Sequence, residues 1–351
     1  MSPVPSFSVI SGAQVDGVLS GQEKEVLRLV ENAYRLHGEG ATINPDSYFL
    51  RFPDRPSSRI IALPASVGGD VNVHGIKWIS SFPENVEQGI PRASAVLILN
   101  DADTGYPFAC LESSIISASR TAASAAVAAA ALSERRPGRR RPRRVGFVGL
   151  GLIARYIHKY LEKSGFEFEQ IGLHDLSANS AAGFRGHLER VAADPSVSAA
   201  PPEIVVHEDV EELIRSSDLV VLATTAGEPY LTGTDAFEHG PIVLNVSLRD
   251  LSPDVITRSY NIVDDIDHVL KANTSVHLTE QREGHREFID GTLYDLLTGA
   301  TTPPADGPVV FSPFGLGVLD LVLAKFVHDQ VALRQELTTV PGFFHDLSRH
   351  G

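Results

Sequence analysis

The sequence has almost no cysteine, no long apolar run and too few basic residues to balance its acidic ones. Cys110 is the single cysteine among 351 residues. This excludes an internal disulfide framework and a zinc site made of thiolates, and it favours a reducing, cytoplasmic location. The longest apolar stretch, residues 125–132, is mostly alanine and is far shorter than the roughly 20 residues of a membrane span. The N-terminus has no basic segment followed by an apolar core, so we expect no signal peptide.

The charge balance argues against binding to nucleic acid. The chain carries 30 lysines and arginines against 44 aspartates and glutamates, a formal net charge of -14, whereas nucleic-acid binders present basic surfaces to the phosphates. The composition is otherwise that of a soluble globular protein. We expect neither a nucleic-acid partner nor a membrane partner, and no metal site.

A glycine-rich segment in the middle of the chain predicts a dinucleotide-binding turn. The run GLGLIA has the form G-x-G-x-x-A and stands between an apolar strand, residues 145–148, and a helix. In this context the first glycine makes a tight turn, the second lets the backbone approach a pyrophosphate, and the alanine allows the helix to pack closely on the strand. The helix N-terminus offers N–H groups to the phosphates. The cofactor-binding candidates here are Gly149, Gly151, Leu152, Ile153 and Ala154.

The cofactor is predicted to be NAD. The second strand ends at Asp175, whose carboxylate would accept hydrogen bonds from the adenosine ribose and repel a 2′-phosphate. Thr224 and Thr225, after the fourth strand, are further candidates, and a plain turn at the strand end is the alternative. A doubly wound domain that has a glycine turn but binds no cofactor remains the alternative for the whole motif.

The alternation of elements predicts the α/β class with two domains. The chain is too long for one ordinary domain. Strands and helices alternate after residue 145, as in a parallel sheet covered on both faces. We predict a Rossmann domain over residues 134–305 and a discontinuous α+β domain for substrate binding and dimerisation, made of residues 1–133 and 306–351. A final apolar helix, residues 318–333, would return to the latter.

An arginine-rich segment separates the two predicted domains. ERRPGRRRPRR, residues 134–144, contains seven arginines and two prolines. Proline and like-charge repulsion disfavour a helix interior, so the segment is either an exposed linker or an anion-binding patch.

Four basic residues of the first segment stand in unusual settings. Lys77 lies in the apolar run GIKWI, either as a strand lysine that extends its head to solvent or as a site residue. Arg51 and Arg59 could be ordinary surface residues of strands. Arg120 is the one charge on an alanine-rich helix, where it needs an anion, either a structural carboxylate or a ligand.

Several motifs resemble those of the ornithine cyclodeaminase/mu-crystallin family. They are GIKW, PEN-x₃-GIPRA, LNDADTGYP, SRTAAS, GLGLIA and VVFSPFGLGVLDL, and they extend over nearly the whole chain. YFLRF, SRIIALPA, NVSLRDL and the VDD that contains Asp264 are most similar to the branch of N-(2-amino-2-carboxyethyl)-L-glutamate dehydrogenases. That branch makes 2,3-diaminopropionate for siderophores and peptide antibiotics. The resemblance implies an NAD-dependent homodimeric enzyme.

The resemblance also assigns roles to residues of the substrate site. It implies that Arg51 and Arg120 bind substrate carboxylates and that Lys77 is the active-site lysine, which could also simply bind a carboxylate as a cation. Arg59, a basic residue of the same segment, is a further candidate for substrate binding. The family's cyclodeaminases carry a catalytic aspartate in a glycine-rich context where this chain has NVSLRDL, and Asp250 is the nearest acid, a catalytic candidate that could orient the attacking water. This departure argues against ornithine cyclisation.

A C-terminal motif completes the implied cofactor site. SPFGLG matches the family's loop near the nicotinamide, which makes Ser312 and Gly315 candidates together with Ser247. A purely structural loop is the alternative.

The implied reaction is the NAD-dependent oxidation of a secondary amine, followed by hydrolysis of the imine to 2-oxoglutarate and 2,3-diaminopropionate. Arginines would fix the substrate's carboxylates in a bidentate manner. A desolvated lysine would exchange protons near neutral pH. Two alternatives remain open: an ornithine cyclodeaminase or related amino-acid or imine reductase, and a non-catalytic dinucleotide binder of the mu-crystallin kind.

Overall fold

The computed structural model describes residues 5–193 and 200–344, and the chain divides into two compact units. Unit 1 comprises Met1–Arg120 and Leu316–Gly351, and unit 2 comprises Thr121–Gly315. The outer ends of the predicted discontinuous domain, residues 1–4 and 345–351, lie outside the described residues.

Sixteen strands are described in these residues. They are β1 Ser8–Ile10, β2 Thr42–Ile43, β3 Tyr48–Phe52, β4 Arg55–Val67, β5 Val73–Ser81, β6 Ala93–Asp101, β7 Pro107–Glu112, β8 Arg144–Val148, β9 Gln170–His174, β10 Glu203–Val206, β11 Leu219–Leu222, β12 Ile242–Asn245, β13 Tyr260–Val263, β14 Gly291–Thr292, β15 Val309–Ser312 and β16 Thr338–Thr339.

Eleven α-helices are described in the same part of the chain. They are α1 Gly12–Leu19, α2 Glu23–Gly38, α3 Ser114–Arg135, α4 Leu152–Lys163, α5 Ala178–Ala192, α6 Val210–Arg215, α7 Pro253–Thr257, α8 Ile266–Val269, α9 Ser275–Glu283, α10 Leu293–Thr298 and α11 Gly317–Leu333.

Unit 1 is built on a mostly antiparallel sheet with one face covered by α11. The strand order is β16-β1-β7-β6-β5-β4-β2, and β3 also pairs with β4. Residues of β4 to β7 alternate between the two faces, as expected where only one face is buried. Helix α11 packs on β4, β5 and β6, and α2 packs on α11.

Unit 2 is a doubly wound parallel sheet. Its order is β10-β9-β8-β11-β12-β15-β13-β14, and all the pairs are parallel. The central strands β11, β12 and β15 are buried along their whole length, because helices cover both faces of such a sheet. The order reverses between β8 and β11, and at such a switch point the carboxyl ends of the strands open a crevice for ligands.

The predicted fold class is therefore confirmed, but the boundaries of the units differ from the predicted ones. The strand β15 lies inside the segment 306–351 that we assigned to the discontinuous domain, yet it pairs with β12 and β13 of the parallel sheet. The first boundary falls after Arg120, within α3, and not at residue 133. A short strand and a point inside a continuous helix give little signal in the sequence.

The arginine-rich segment is neither a fully exposed linker nor an open anion-binding patch. Arg136 is 5% exposed and donates to the carbonyls of Gly240 at 2.7 Å and Pro304 at 3.1 Å, and also to that of Gly307. Most of the neighbouring arginines have partners too. Arg135 and Arg139 donate to the carbonyls of Leu297 and Ala305, and the Arg141 guanidinium lies over the Phe166 ring. Ion pairs join Arg143 to Glu169 and Arg144 to Asp218. The segment ties loops of unit 2 together.

Helix α3 is long and apolar enough to cross a membrane by length and composition, contrary to our expectation that no such segment exists. The reason is that alanine, isoleucine, valine and leucine dominate its 22 residues and charged residues are few, so that its most apolar window reaches a mean hydropathy of 1.4. Within the most apolar window, 67% of the residues are buried inside the protein, as in the core helix of a soluble protein.

Arg136→Ala should destabilise the protein by about 3 kcal/mol, because buried carbonyls would lose their donor without gaining water. The matched control is Arg140→Ala, which removes an exposed arginine of the same segment. Thermal unfolding of both variants measures the difference. Equal midpoints for the two would show that the contacts of Arg136 do not hold the loops.

Candidate functional site

Strand alternation explains why Lys77 can stand in an apolar run. Lys77 lies opposite Leu63 of β4 and Leu97 of β6, on the sheet face that α11 covers, and it is 1% exposed. Its neighbour Trp78 points to the other face and is 43% exposed. Lys77 is therefore a buried residue and does not extend to solvent.

The buried lysine is neutralised by a carboxylate that the sequence analysis missed. Lys77 Nζ donates to Asp320 Oδ2 at 2.6 Å and to Ser117 Oγ at 3.2 Å. Asp320 lies in the first turn of α11 and is fully buried. Burial and the nearby Arg120 guanidinium lower the pKa of Lys77 to about 8, and Asp320 partly offsets this effect. Lys77 can therefore gain or lose a proton near neutral pH.

Arg120 shares the same carboxylate. Its Nε donates to Asp320 Oδ1 at 3.1 Å, and its side chain is 12% exposed. The structural anion that we left open for Arg120 is thus present, but this pair uses Nε alone and not the two terminal nitrogens. The signal that could have revealed Asp320 is its position as the one acid in the apolar run GVLDLVLA of the last helix, because a buried acid needs a cation.

Arg51 and Arg59 lie next to each other on the same sheet face as Lys77. They are direct cross-strand partners of β3 and β4, and the alternation of β4 and β5 places Arg59 on the face of Lys77. Arg51 is exposed, with its guanidinium 5.0 Å from the centre of the Phe49 ring.

In unit 2, the glycine turn has the geometry that the motif requires. Gly149 has φ +82°, and a Cβ there would lie 2.6 Å from the carbonyl oxygen of Ala223, just after β11. Gly151 precedes α4 at φ -77°, and a Cβ there would meet nothing within 4 Å. Ala154 is fully buried, whereas Leu152 is 63% exposed. The turn therefore needs the first glycine for its own fold, and the second leaves space at the helix N-terminus.

Asp175 is bound to this turn. Its carboxylate accepts the backbone N–H of Leu150 and that of Ser177, both at 2.8 Å. A carboxylate has about four acceptor sites, so two contacts leave capacity for ribose hydroxyls.

Asp250 is the centre of a hydroxyl cluster. Its buried carboxylate accepts hydrogen bonds from Thr224 at 2.6 Å, from Tyr230 at 3.0 Å and from Ser247. Burial of the phenol and the adjacent Asp250 carboxylate raise the pKa of Tyr230, so its hydroxyl stays protonated and donates. Thr224 and Ser247, which we expected to contact the cofactor, thus hold Asp250, while Thr225 is exposed. Tyr230 was missed because it stands twenty residues away in a loop without a motif.

The turn that carries Asp250 is strained. Leu248 has φ 79°, a left-handed conformation that costs a side-chain-bearing residue roughly 1–2 kcal/mol. The Leu248 carbonyl accepts the Ser275 N–H at 2.7 Å, and Arg249 donates to the Ala272 carbonyl. Such strain persists only where the surroundings hold it, and it is concentrated at functional sites.

The SPFGLG loop is anchored by two buried polar groups. Asp264 accepts the N–H groups of Phe314 at 2.9 Å and Gly315 at 2.6 Å; burial raises its pKa, and these N–H groups partly offset the effect. Ser312 is buried and accepts from Asn245 Nδ2 at 3.2 Å, while Asn245 Oδ1 has no hydrogen-bond partner. Ser312 and Gly315 therefore belong to a segment at the carboxyl edge of the parallel sheet that is fixed by hydrogen bonds to Asn245 and Asp264.

A model of the ornithine cyclodeaminase/mu-crystallin family matches residues 11–335. The chain belongs to this family. N-((2S)-2-amino-2-carboxyethyl)-L-glutamate dehydrogenase of Staphylococcus aureus is 27% identical over 292 residues, 81% of this chain and 82% of that protein. The membership confirms the resemblance that the motifs indicated.

Two solved structures share the fold of this ornithine cyclodeaminase/mu-crystallin family member. Delta(1)-pyrroline-2-carboxylate reductase of Thermococcus litoralis, in complex with NADH and L-proline, has a TM-score of 0.84 at 23% identity, over 95% of this chain and 100% of that one. An archaeal alanine dehydrogenase dimer with bound NAD has a TM-score of 0.82 at 22% identity, over 96% of this chain and 100% of that one.

Within residues 5–193 and 200–344, no group of three or more His, Cys, Asp or Glu side chains could hold a metal ion.

The two glycines of the turn should respond differently to alanine. Gly149→Ala should destabilise the protein by about 2 kcal/mol or more, because it combines a left-handed φ with a backbone clash. Gly151→Ala should keep the wild-type thermal midpoint, because its φ is ordinary and the space is open. Thermal unfolding without added ligands tests both, and equal midpoints for the two variants would contradict the role assigned to Gly149.

Proposed function

We propose that the protein is an NAD-dependent dehydrogenase of N-(2-amino-2-carboxyethyl)-L-glutamate. The substrate loses a hydride from the glutamate Cα and a proton from the secondary amine, which gives an imine. Water adds to the imine carbon and the C–N bond breaks, so the products are 2-oxoglutarate, L-2,3-diaminopropionate, NADH and a proton. The diaminopropionate would serve siderophore or peptide-antibiotic biosynthesis in the cytoplasm.

The observation that carries the proposal is the set of cations in unit 1. Arg51, Arg59 and Lys77 lie on one face of the sheet, and Arg120 keeps its two terminal nitrogens outside its pair with Asp320. The proposed substrate carries three carboxylates. Guanidinium groups bind carboxylates through two parallel hydrogen bonds and fix their orientation, so this set suits a polyanionic amine better than ornithine.

The residues of unit 2 fit a dinucleotide. The open space at Gly151 and the N-terminus of α4 suit a pyrophosphate. Asp175, with acceptor sites left, suits the ribose hydroxyls and disfavours a 2′-phosphate. NAD, when bound, supplies the acceptor for the hydride.

Lys77 and Asp250 receive separate roles. A buried lysine whose pKa lies near 8 can hold a carboxylate as a cation and can also exchange a proton with the substrate. Asp250 is buried with its carboxylate oxygens engaged by hydroxyls, so we assign it to the orientation of Thr224, Tyr230 and Ser247 and, through them, of the attacking water.

Incubation of the purified protein with the glutamate conjugate and NAD tests the proposal, with mass detection of both products. We expect 2-oxoglutarate and 2,3-diaminopropionate in equal amounts, together with NADH. Proline and ammonia from L-ornithine with catalytic NAD would instead indicate a cyclodeaminase. A constant NADH absorbance across a panel of amino-acid conjugates would indicate a binder without turnover.

Lys77→Met should lower kcat/KM on the conjugate by about a hundredfold or more, because the proton carrier is lost. The fold should survive, since Asp320 keeps Arg120 as its partner and methionine fills a similar volume. The control is Gly151→Ala, which should fail to bind NAD in calorimetry, whereas Lys77→Met should bind it normally. Retention of most activity by Lys77→Met would remove the lysine from the reaction.

The outer face of the sheet in unit 1 supports a homodimer. Tyr48, Trp78 and Val96 lie in one row across β3, β4, β5 and β6, and their exposed fractions are 68%, 43% and 43%. Leu50, in the next row, is also exposed. A contiguous apolar patch of this kind marks an interaction surface, and the archaeal alanine dehydrogenase of the same fold is a dimer.

Trp78→Glu should convert the dimer to a monomer, because a carboxylate in the middle of an apolar interface would be buried without a partner. Light scattering coupled to size exclusion gives the mass. Leu176→Glu, which changes a fully exposed leucine of unit 2, should leave the dimer intact. A monomeric wild-type protein, or a dimeric Trp78→Glu variant, would refute this interface.

A further inference from the structure

Asp320 is held in place by the backbone around it. Helix α11 begins at Gly317, where a Cβ would lie 3.2 Å from the Leu63 carbonyl oxygen. At Gly75 of β5, a Cβ would lie 2.8 Å from Leu321 Cδ2 and 2.3 Å from the Ile98 carbonyl oxygen. The two glycines therefore let the first turn of α11 lie directly on the sheet, and this close approach brings the Asp320 carboxylate within reach of Lys77.

The start of α11 is fixed in other ways as well. Asn44 Oδ1 accepts the N–H of Val318 at 3.3 Å, and the first turn of a helix favours a negative side chain. Each oxygen of Asp320 takes one cation, Oδ2 the Lys77 ammonium and Oδ1 the Arg120 guanidinium. The carboxylate cannot rotate without the loss of one of these contacts.

A role in stability alone is a weak explanation for this arrangement. Three charged groups buried together gain little, because desolvation offsets most of their attraction, and well-packed apolar side chains would stabilise the same site as well or better. The number of N–H donors on Lys77 and Arg120 exceeds the number that the contacts described above use, and this excess favours a bound ligand. The contacts above use two of the three N–H groups of Lys77 and one nitrogen of Arg120.

We propose that Asp320 is the positioning residue of the substrate site: it fixes Lys77 and Arg120 and leaves the group with a net charge of +1, so that it receives a single substrate carboxylate. The inference rests on the proposed function for the identity of that substrate. The charged or polar neighbours of Lys77 are Asp320 on α11 and Arg120 and Ser117 on α3, whereas its partners on β4 and β6 are leucines.

The pH dependence of carboxylate binding distinguishes this role from a structural one. The Asp320 carboxylate raises the proton affinity of Lys77, so its removal must lower the pKa of the lysine. Wild-type affinity for 2-oxoglutarate should fall as pH rises through about 8, where Lys77 loses its charge. In Asp320→Asn this fall should be centred about one pH unit lower, so that at pH 8 the affinity, relative to its own value at low pH, should be about fivefold below that of the wild type.

Calorimetry with 2-oxoglutarate between about pH 6 and pH 10 measures this, in the full chain with NAD present. Asp320→Glu should keep the wild-type pH dependence because it keeps the charge. The matched control is Asp329→Asn, since Asp329 on the same helix also pairs with a lysine at 2.6 Å but near the surface; its curve should equal that of the wild type. An unshifted curve in Asp320→Asn would overturn the proposal.

The same variants in the turnover assay separate this inference from the proposed function. In Asp320→Asn, the fall of kcat/KM that the wild type shows near pH 8 should shift to lower pH by the same amount as the binding curve. If the wild type does not oxidise the conjugate, the proposed function fails, while the binding curves still decide the role of Asp320. If Asp320→Asn does not fold, the Asp320→Glu variant decides: a shifted curve in that variant would overturn the proposal.

Discussion

The positions of two buried cations in unit 1 depend on one buried carboxylate. Without Asp320, a lysine enclosed by leucines and an arginine on an alanine-rich helix would face each other as two buried cations, which costs several kcal/mol. With it, Lys77 lies 2.6 Å from one oxygen and Arg120 3.1 Å from the other. The carboxylate comes from the C-terminal part of the chain, 243 residues after the lysine. The second segment of this discontinuous unit therefore supplies the anion for two cations of the first segment.

Unit 2 has a polar centre of a different kind. Asp250 is buried among three hydroxyls, and the turn before it is held in a strained conformation at Leu248. Hydroxyls can turn to donate or accept, so such a cluster orients protons without a second buried charge. The same edge of the sheet carries Ser312 and the Asp264-anchored loop. Several strands of a parallel sheet thus present polar groups at their carboxyl ends, as expected for this fold.

The two units therefore present different chemical groups. Unit 1 concentrates positive charge on one face of a sheet, with a lysine whose proton affinity is reduced by burial. Unit 2 provides a glycine turn and helix N-terminus suited to phosphates, with an acid beside them. Membership of the ornithine cyclodeaminase/mu-crystallin family accounts for this combination. The cationic face is the observation that supports a substrate with several carboxylates.

The sequence by itself determined the features that depend on local pattern. The parallel α/β domain, the glycine turn at Gly149 and the last apolar helix follow from periodicity and short motifs, whereas the basic residues of the proposed site were assigned through the family resemblance. Their spatial partners could not be predicted in this way. Tertiary structure alone decided that Asp320 meets Lys77, that Thr224 and Ser247 serve Asp250, that β15 enters the parallel sheet and that Arg136 binds loop carbonyls. Each of these contacts joins segments that lie apart in the chain or turn toward each other in irregular loops, and side-chain pairing across such distances leaves no periodic trace in the sequence.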